Sequence, residues 1–121
     1  MPVRSLNSSV LRWPDHKTVD QAVRKWAQKE LKQHEDVCRL GYFGSYVRGD
    51  WGVGSDLDII AVVSQSNEPF EKRNLSWDLS SLPVPAELVV YTERELDFLK
   101  SEGSRFALML NKETVWVYTS I

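Results

Sequence analysis

The sequence predicts an α/β fold, a small mixed β-sheet with helices packed mainly on one face, and two features carry that expectation. Short β-branched and aliphatic runs at 37–43, 57–63, 86–91 and 114–118 are bounded by turn-forming residues, as strands are. Around them lie segments with apolar residues at three- and four-residue spacing, two of them opened by Thr-x-x-Gln or Thr-x-x-Glu, as amphipathic helices are. The 121 residues suffice for one domain with a sizeable core and are too few for two ordinary ones.

Residues 1–17 are rich in Ser, Arg and Pro and lack periodicity, so they are read as a flexible N-terminal leader, with Leu11 and Trp13 able to dock, ahead of a domain over 18–121. Thr18-x-x-Gln21 is a capping box, and Val19, Ala22, Val23, Trp26, Ala27 and Leu31 form the buried stripe of the helix it opens. The first strand, with Cys38 as a small core residue, delivers Gly44-Ser45 to a short helix over 45–48. A glycine-rich loop follows, in which Arg48 is assigned a pairing role with Asp50 or another acid, and the second strand follows the loop. Beyond a polar loop at 64–68, Pro69 opens a helix to about Ser80 with Leu75, Leu79 and Leu82 on one stripe, Trp77 as packing off it, and Lys72 and Arg73 on a solvated face. After the extended Pro83-Val84-Pro85 comes the third strand, then Thr92-x-x-Glu95, a second capping box before Leu96, Phe98 and Leu99. Gly103 interrupts that helix, Phe106 to Leu110 continue its apolar face, and Asn111 to Glu113 turn into a last strand over 114–118.

Fifteen Lys and Arg against seventeen Asp and Glu leave a net charge of −2, which excludes a globally basic surface of the kind that binds nucleic acid nonspecifically. A nucleotide suits this balance better than a duplex. The single cysteine excludes an internal disulfide framework and a cysteine-based zinc site. His16 and His34 have no second ligand at metal spacing and are read as surface residues. With no run near the ~20 apolar residues of a membrane span and no signal-peptide core, a cytoplasmic location is expected.

The chemistry concentrates in residues 44–58. Asp56 and Asp58 lie two apart at the start of an aliphatic strand, so both carboxylates are expected on one face, about 6.6 Å apart along the chain at their Cα atoms. A strand this aliphatic is buried on both faces, where unpaired carboxylates are costly, and a divalent cation removes that cost. Oxygen-only ligands suit Mg²⁺ or Mn²⁺, and Mg²⁺ commonly combines one or two carboxylates with substrate phosphates. Gly44 lets backbone N–H groups approach a phosphate, Ser45 adds a hydroxyl, and Ser55 either braces the loop or reaches a phosphate.

Gly-Ser, ten intervening residues and Asp-x-Asp on a strand, with Arg-Gly-Asp inside the loop, resemble the DNA polymerase beta-like nucleotidyltransferase superfamily. The resemblance spans about Val37 to Tyr91 and is narrowest to the minimal nucleotidyltransferases of bacteria and archaea. It implies the polymerase beta-like fold and an enzyme that transfers a nucleoside monophosphate, in its favoured version AMP from ATP, to an acceptor hydroxyl and releases pyrophosphate. It also implies Mg²⁺, or Mn²⁺, on Asp56 and Asp58, with the nucleotide over Gly44, Ser45 and Ser55. Family members place a third acid, usually Asp, on the neighbouring strand, and Glu87 is the acid here that fits, as third catalytic residue and metal ligand. Larger relatives carry a domain for the acceptor that 121 residues do not accommodate. The resemblance therefore points to a partner, a small helical HEPN-domain toxin for which this chain is the antitoxin. A non-catalytic antitoxin-type binding module and a nucleotide sensor remain as alternatives, and nucleic-acid binding and homo-oligomerisation are left open.

Overall fold

In the computed structural model, which describes residues 13–120, the chain forms α1 (His16–Leu31), β1 (Val37–Phe43), α2 (Ser45–Arg48), β2 (Leu57–Val63), a 3-10 helix (Phe70–Ser76), β3 (Ala86–Thr92), α3 (Glu93–Ser101), α4 (Arg105–Glu113) and β4 (Val115–Thr119). Leu11 and the rest of 1–12 lie outside the described residues. The sheet order is β3-β2-β1-β4, with β1 antiparallel to both β2 and β4 and β2 parallel to β3. A parallel pair needs a long crossover, and residues 64–85 with the 3-10 helix supply it.

The uninterrupted aliphatic run of β2 explains the layering. Leu57, Ile59, Ala61 and Val63 pack with Val19, Val23 and Trp26 of α1, whereas Ile60 and Val62 pack with Leu96 of α3 and Leu110 of α4. Helices therefore divide between the two faces instead of gathering mainly on one, because a central strand with no polar side has to be covered twice. Helix α1 starts two residues before Thr18: the Asp15 carboxylate, a better cap than a threonine hydroxyl, accepts from the Thr18 N–H at 2.9 Å. Trp13 belongs to the packed body and donates its Nε1–H to the Tyr46 hydroxyl at 2.7 Å.

The expected helix over 69–80 is instead a 3-10 segment on which Leu75 is 76% exposed. Its register is set by Trp77, which is buried beside Trp26 and stacks on His34 at 3.9 Å with an interplanar angle of 4°. His34 is thus an interior side chain and not a surface one, with Nε2 at 3.6 Å from the buried Glu30 carboxylate. Cys38 is half-buried instead of fully interior, its Sγ 3.1 Å from Glu93 Oε1, and burial together with that carboxylate pushes its thiol up to about 11. A thiol held protonated in this way is a poor nucleophile. Helix α4 runs on through Asn111–Glu113, where a turn was expected.

Arg73 is not on a solvated face. Its guanidinium is a structural clasp: both Glu95 oxygens accept from it, at 2.6 and 3.0 Å, and it also donates to the Glu68 carbonyl at 3.0 Å and the Val90 carbonyl at 3.1 Å. Glu95 also closes the capping box with Thr92 at the start of α3. Arg73→Ala is expected to cost about 2–3 kcal/mol in urea denaturation, below the usual figure for breaking a buried pair because Glu95 is partly solvated. The Arg73 hydrogen bonds hold the Glu95 carboxyl below its usual range, so this stabilisation is complete above the ordinary Glu value of about 4.3 and is lost as pH falls through the lower folded value. The gap between wild type and Arg73→Ala should therefore narrow in acid.

Candidate active site

Strand β1 ends at Phe43 and hands the chain to Gly44, whose φ of 89° and ψ of −152° lie in a region essentially reserved for glycine. Phe43 pairs with Asp58 across β1–β2, and Asp58 pairs with Glu87 across β2–β3. These pairings set Gly44, Asp58 and Glu87 in a row at one end of the sheet, with strands spaced about 4.8 Å apart. Side-chain alternation places both acids on the face that carries Ile60, Val62, α3 and α4. Contact with Gly44 is direct: a Cβ built there would fall on Asp58 Oδ2.

Asp58 is half-buried, and no hydrogen bond among the described residues holds its carboxylate. Burial, then the neighbouring Glu87 and Asp56 charges, push its carboxyl above the ordinary Asp value, and only Arg48 opposes them. Asp56 lies one residue before β2 and is exposed, so of the two acids expected on a strand face only Asp58 is in the strand. Glu87 is exposed at the second position of β3. Ser45, half-buried, is the first residue of α2. Ser55 braces the loop: its Oγ accepts from the Gly52 N–H at 2.8 Å, and its own N–H donates to the Gly52 carbonyl at 2.9 Å. Trp51 steadies the same loop by stacking on Tyr46 at 5.6 Å and 8°.

One participant went unread in the sequence. Glu113, the last residue of α4, accepts through Oε2 from the Gly44 N–H at 3.0 Å and from Arg48 Nη1 at 3.2 Å. Arg48 also donates to Asp50 Oδ2 at 3.3 Å, which is the pairing role expected of it. Sixty-nine positions separate Gly44 from Glu113, and no local pattern links them.

The donor set at this end of the sheet is all oxygen: Asp58, flanked by Glu87 and Asp56, with an unpartnered carboxylate in a partly desolvated position. That chemistry fits a hard divalent cation held by one or two carboxylates that shares its remaining positions with phosphate and water, the habit of Mg²⁺. Among the described residues, no group of three or more His, Cys, Asp or Glu side chains forms a cage for a metal by itself.

Residues 24–108 match the family model described as "Nucleotidyltransferase domain". Among solved structures, the chain resembles a proposed nucleotidyltransferase from Sulfolobus solfataricus with a TM-score of 0.62 at 17% identity, over 86% of this chain and 83% of that one. It also resembles a chain of a toxin–antitoxin structure solved with AMP-PNP, with a TM-score of 0.54 at 17% identity, over 80% of this chain and 73% of that one. No curated protein matches the sequence. At these identities the structural matches establish a shared fold.

Proposed function

The chain belongs to the nucleotidyltransferase domain family with a polymerase beta-like fold, and from that membership we propose that it transfers a nucleoside monophosphate, AMP from ATP, to an acceptor hydroxyl and releases pyrophosphate. The observation that carries the proposal is the register that sets Asp58 beside Glu87 with the Gly44 backbone against the Asp58 carboxylate. The triphosphate lies along Gly44 and Ser45, where the backbone comes close because Gly44 has no Cβ. Asp56, Asp58 and Glu87 supply the oxygen ligands for Mg²⁺, with Mn²⁺ as substitute. When bound, the cation offsets charge on the triphosphate and polarises the α-phosphate. In this reading Glu87, exposed at the end of the row, accepts the proton of an incoming hydroxyl, while Ser55 and Trp51 hold the loop that frames the site.

The likeness to a chain of a toxin–antitoxin structure solved with AMP-PNP supports a protein partner. In this reading that partner is a small helical HEPN-type toxin that brings the acceptor hydroxyl, and the setting is the cytoplasm. A second reading, a non-catalytic antitoxin-type module that covers such a partner, is favoured by one observation: the Gly44 amide is already taken by Glu113. Incubation with α-labelled ATP, Mg²⁺ and cell extract decides between the two. Label on a macromolecule is expected with the wild type and not with Asp56→Ala/Asp58→Ala. Unlabelled extract, with a partner neutralised equally well by both proteins, would transfer the role to the binding module.

A further inference from the structure

We infer that Glu113 is an internal competitor for the phosphate site: its carboxylate occupies the Gly44 N–H and Arg48 as a stand-in anion, and a polyphosphate has to displace it to bind. The inference rests on the reading of Gly44-Ser45 as the phosphate-binding turn. Two donors of different origin, a backbone amide and a guanidinium, converge on the single atom Glu113 Oε2 at 3.0 and 3.2 Å. Amides and guanidinium groups that converge on one oxygen are the apparatus of phosphate recognition, and charge-assisted bonds of this kind are the stronger class.

The placement of Glu113 is otherwise unfavourable. It closes the C-terminal turn of α4, where the helix dipole disfavours a negative charge. Its charge also adds to the repulsion at Asp58, together with those of Glu87 and Asp56. Nothing else described in its surroundings accounts for a carboxylate there except the two donors it satisfies. A glutamate can leave by side-chain rotation alone, which frees the amide and Arg48 with no backbone movement. Arg48, half exposed, is then available to a phosphate oxygen. Displacing Glu113 exchanges one carboxylate for another anion on the same two donors, so the exchange sets a threshold that a multiply charged polyphosphate passes and a weaker anion does not.

The test is calorimetric titration of wild type, Glu113→Gln and Glu113→Ala with inorganic tripolyphosphate and, separately, with ATP, each with Mg²⁺. Glu113→Gln keeps the shape and an acceptor oxygen while removing the charge, so it separates competition from loss of structure. Tripolyphosphate is expected to bind Glu113→Gln about tenfold more tightly than wild type, and Glu113→Ala at least as tightly as Glu113→Gln, given the worth of a hydrogen bond to a charged group. In NMR spectra of the wild type, the Gly44 amide should shift on binding and exchange faster in Glu113→Ala without ligand. Equal or weaker tripolyphosphate binding by Glu113→Gln overturns the inference and makes Glu113 a brace for the loop. Tighter tripolyphosphate binding with no ATP binding by any of the three would leave the competitor in place and refute the nucleotide reading. ATP binding of equal strength by all three would do the reverse.

Discussion

Asp58→Asn is expected to lower nucleotidyl transfer by about 10³-fold or more while raising the thermal unfolding midpoint at pH 7. The two effects have one cause. In the folded chain the Asp58 carboxyl sits above its ordinary value because burial, Glu87 and Asp56 all disfavour its charge. A carboxyl raised in this way contributes stability below its unfolded value of about 3.9, and that contribution is lost as pH rises through the higher folded value. At neutral pH the ionised group is therefore a net cost, which the uncharged isostere removes. The gain should fall within the about 0.5–2 kcal/mol typical of single stabilising replacements, and it should disappear near pH 3, where wild-type Asp58 is protonated. Mg²⁺ with ATP should raise the wild-type midpoint by linkage and close the gap, and should leave Asp58→Asn unmoved. Full transfer by the variant would remove Asp58 from the chemistry, and a lower midpoint at pH 7 would refute the electrostatic account.

This opposition between stability and function also explains what was legible in the sequence. Strands β1, β2 and β3 were readable almost to the residue because each is a β-branched or aliphatic run bounded by turn residues, a local signal. Asp58 stood out because it violates that signal: an acid in a strand buried on both faces. Features that depend on distant partners left no trace. Trp77 takes its place from His34 and Trp26, across the crossover, so a stripe of Leu75, Leu79 and Leu82 gave a helix that the packing does not sustain. Arg73 resembled any basic residue on a wet face until Glu95 and the Val90 carbonyl came to surround it. Glu113 read as part of a turn because its partners, Gly44 and Arg48, are brought to it only when α4 packs across the sheet.

Gly44→Ala should show that the row of Gly44, Asp58 and Glu87 is a single unit, at a cost of about 3–5 kcal/mol in stability and with loss of transfer. Two terms add. A φ of 89° with a ψ of −152° is strained for any residue with a side chain, and the new methyl would overlap Asp58 Oδ2 and approach Asp58 Cγ to 3.3 Å. Because the carboxylate has to move, the acid leaves its register beside Glu87. Gly49→Ala is the control: its φ of 87° carries backbone strain, yet nothing lies within 4 Å of the added methyl, so about 1–2 kcal/mol is expected and transfer should persist. The two terms separate in a double-mutant cycle. Asp58→Ala takes away the atoms that the methyl strikes and leaves Asp58 Cβ at 3.6 Å, an ordinary contact. Gly44→Ala should therefore cost about 1–3 kcal/mol less in an Asp58→Ala background than in the wild type. Strict additivity would mean that the backbone conformation alone demands glycine and that the approach of Gly44 to Asp58 is incidental. The expected coupling would mean that the missing side chain at 44 is what lets the carboxylate stand against the Gly44-Ser45 turn.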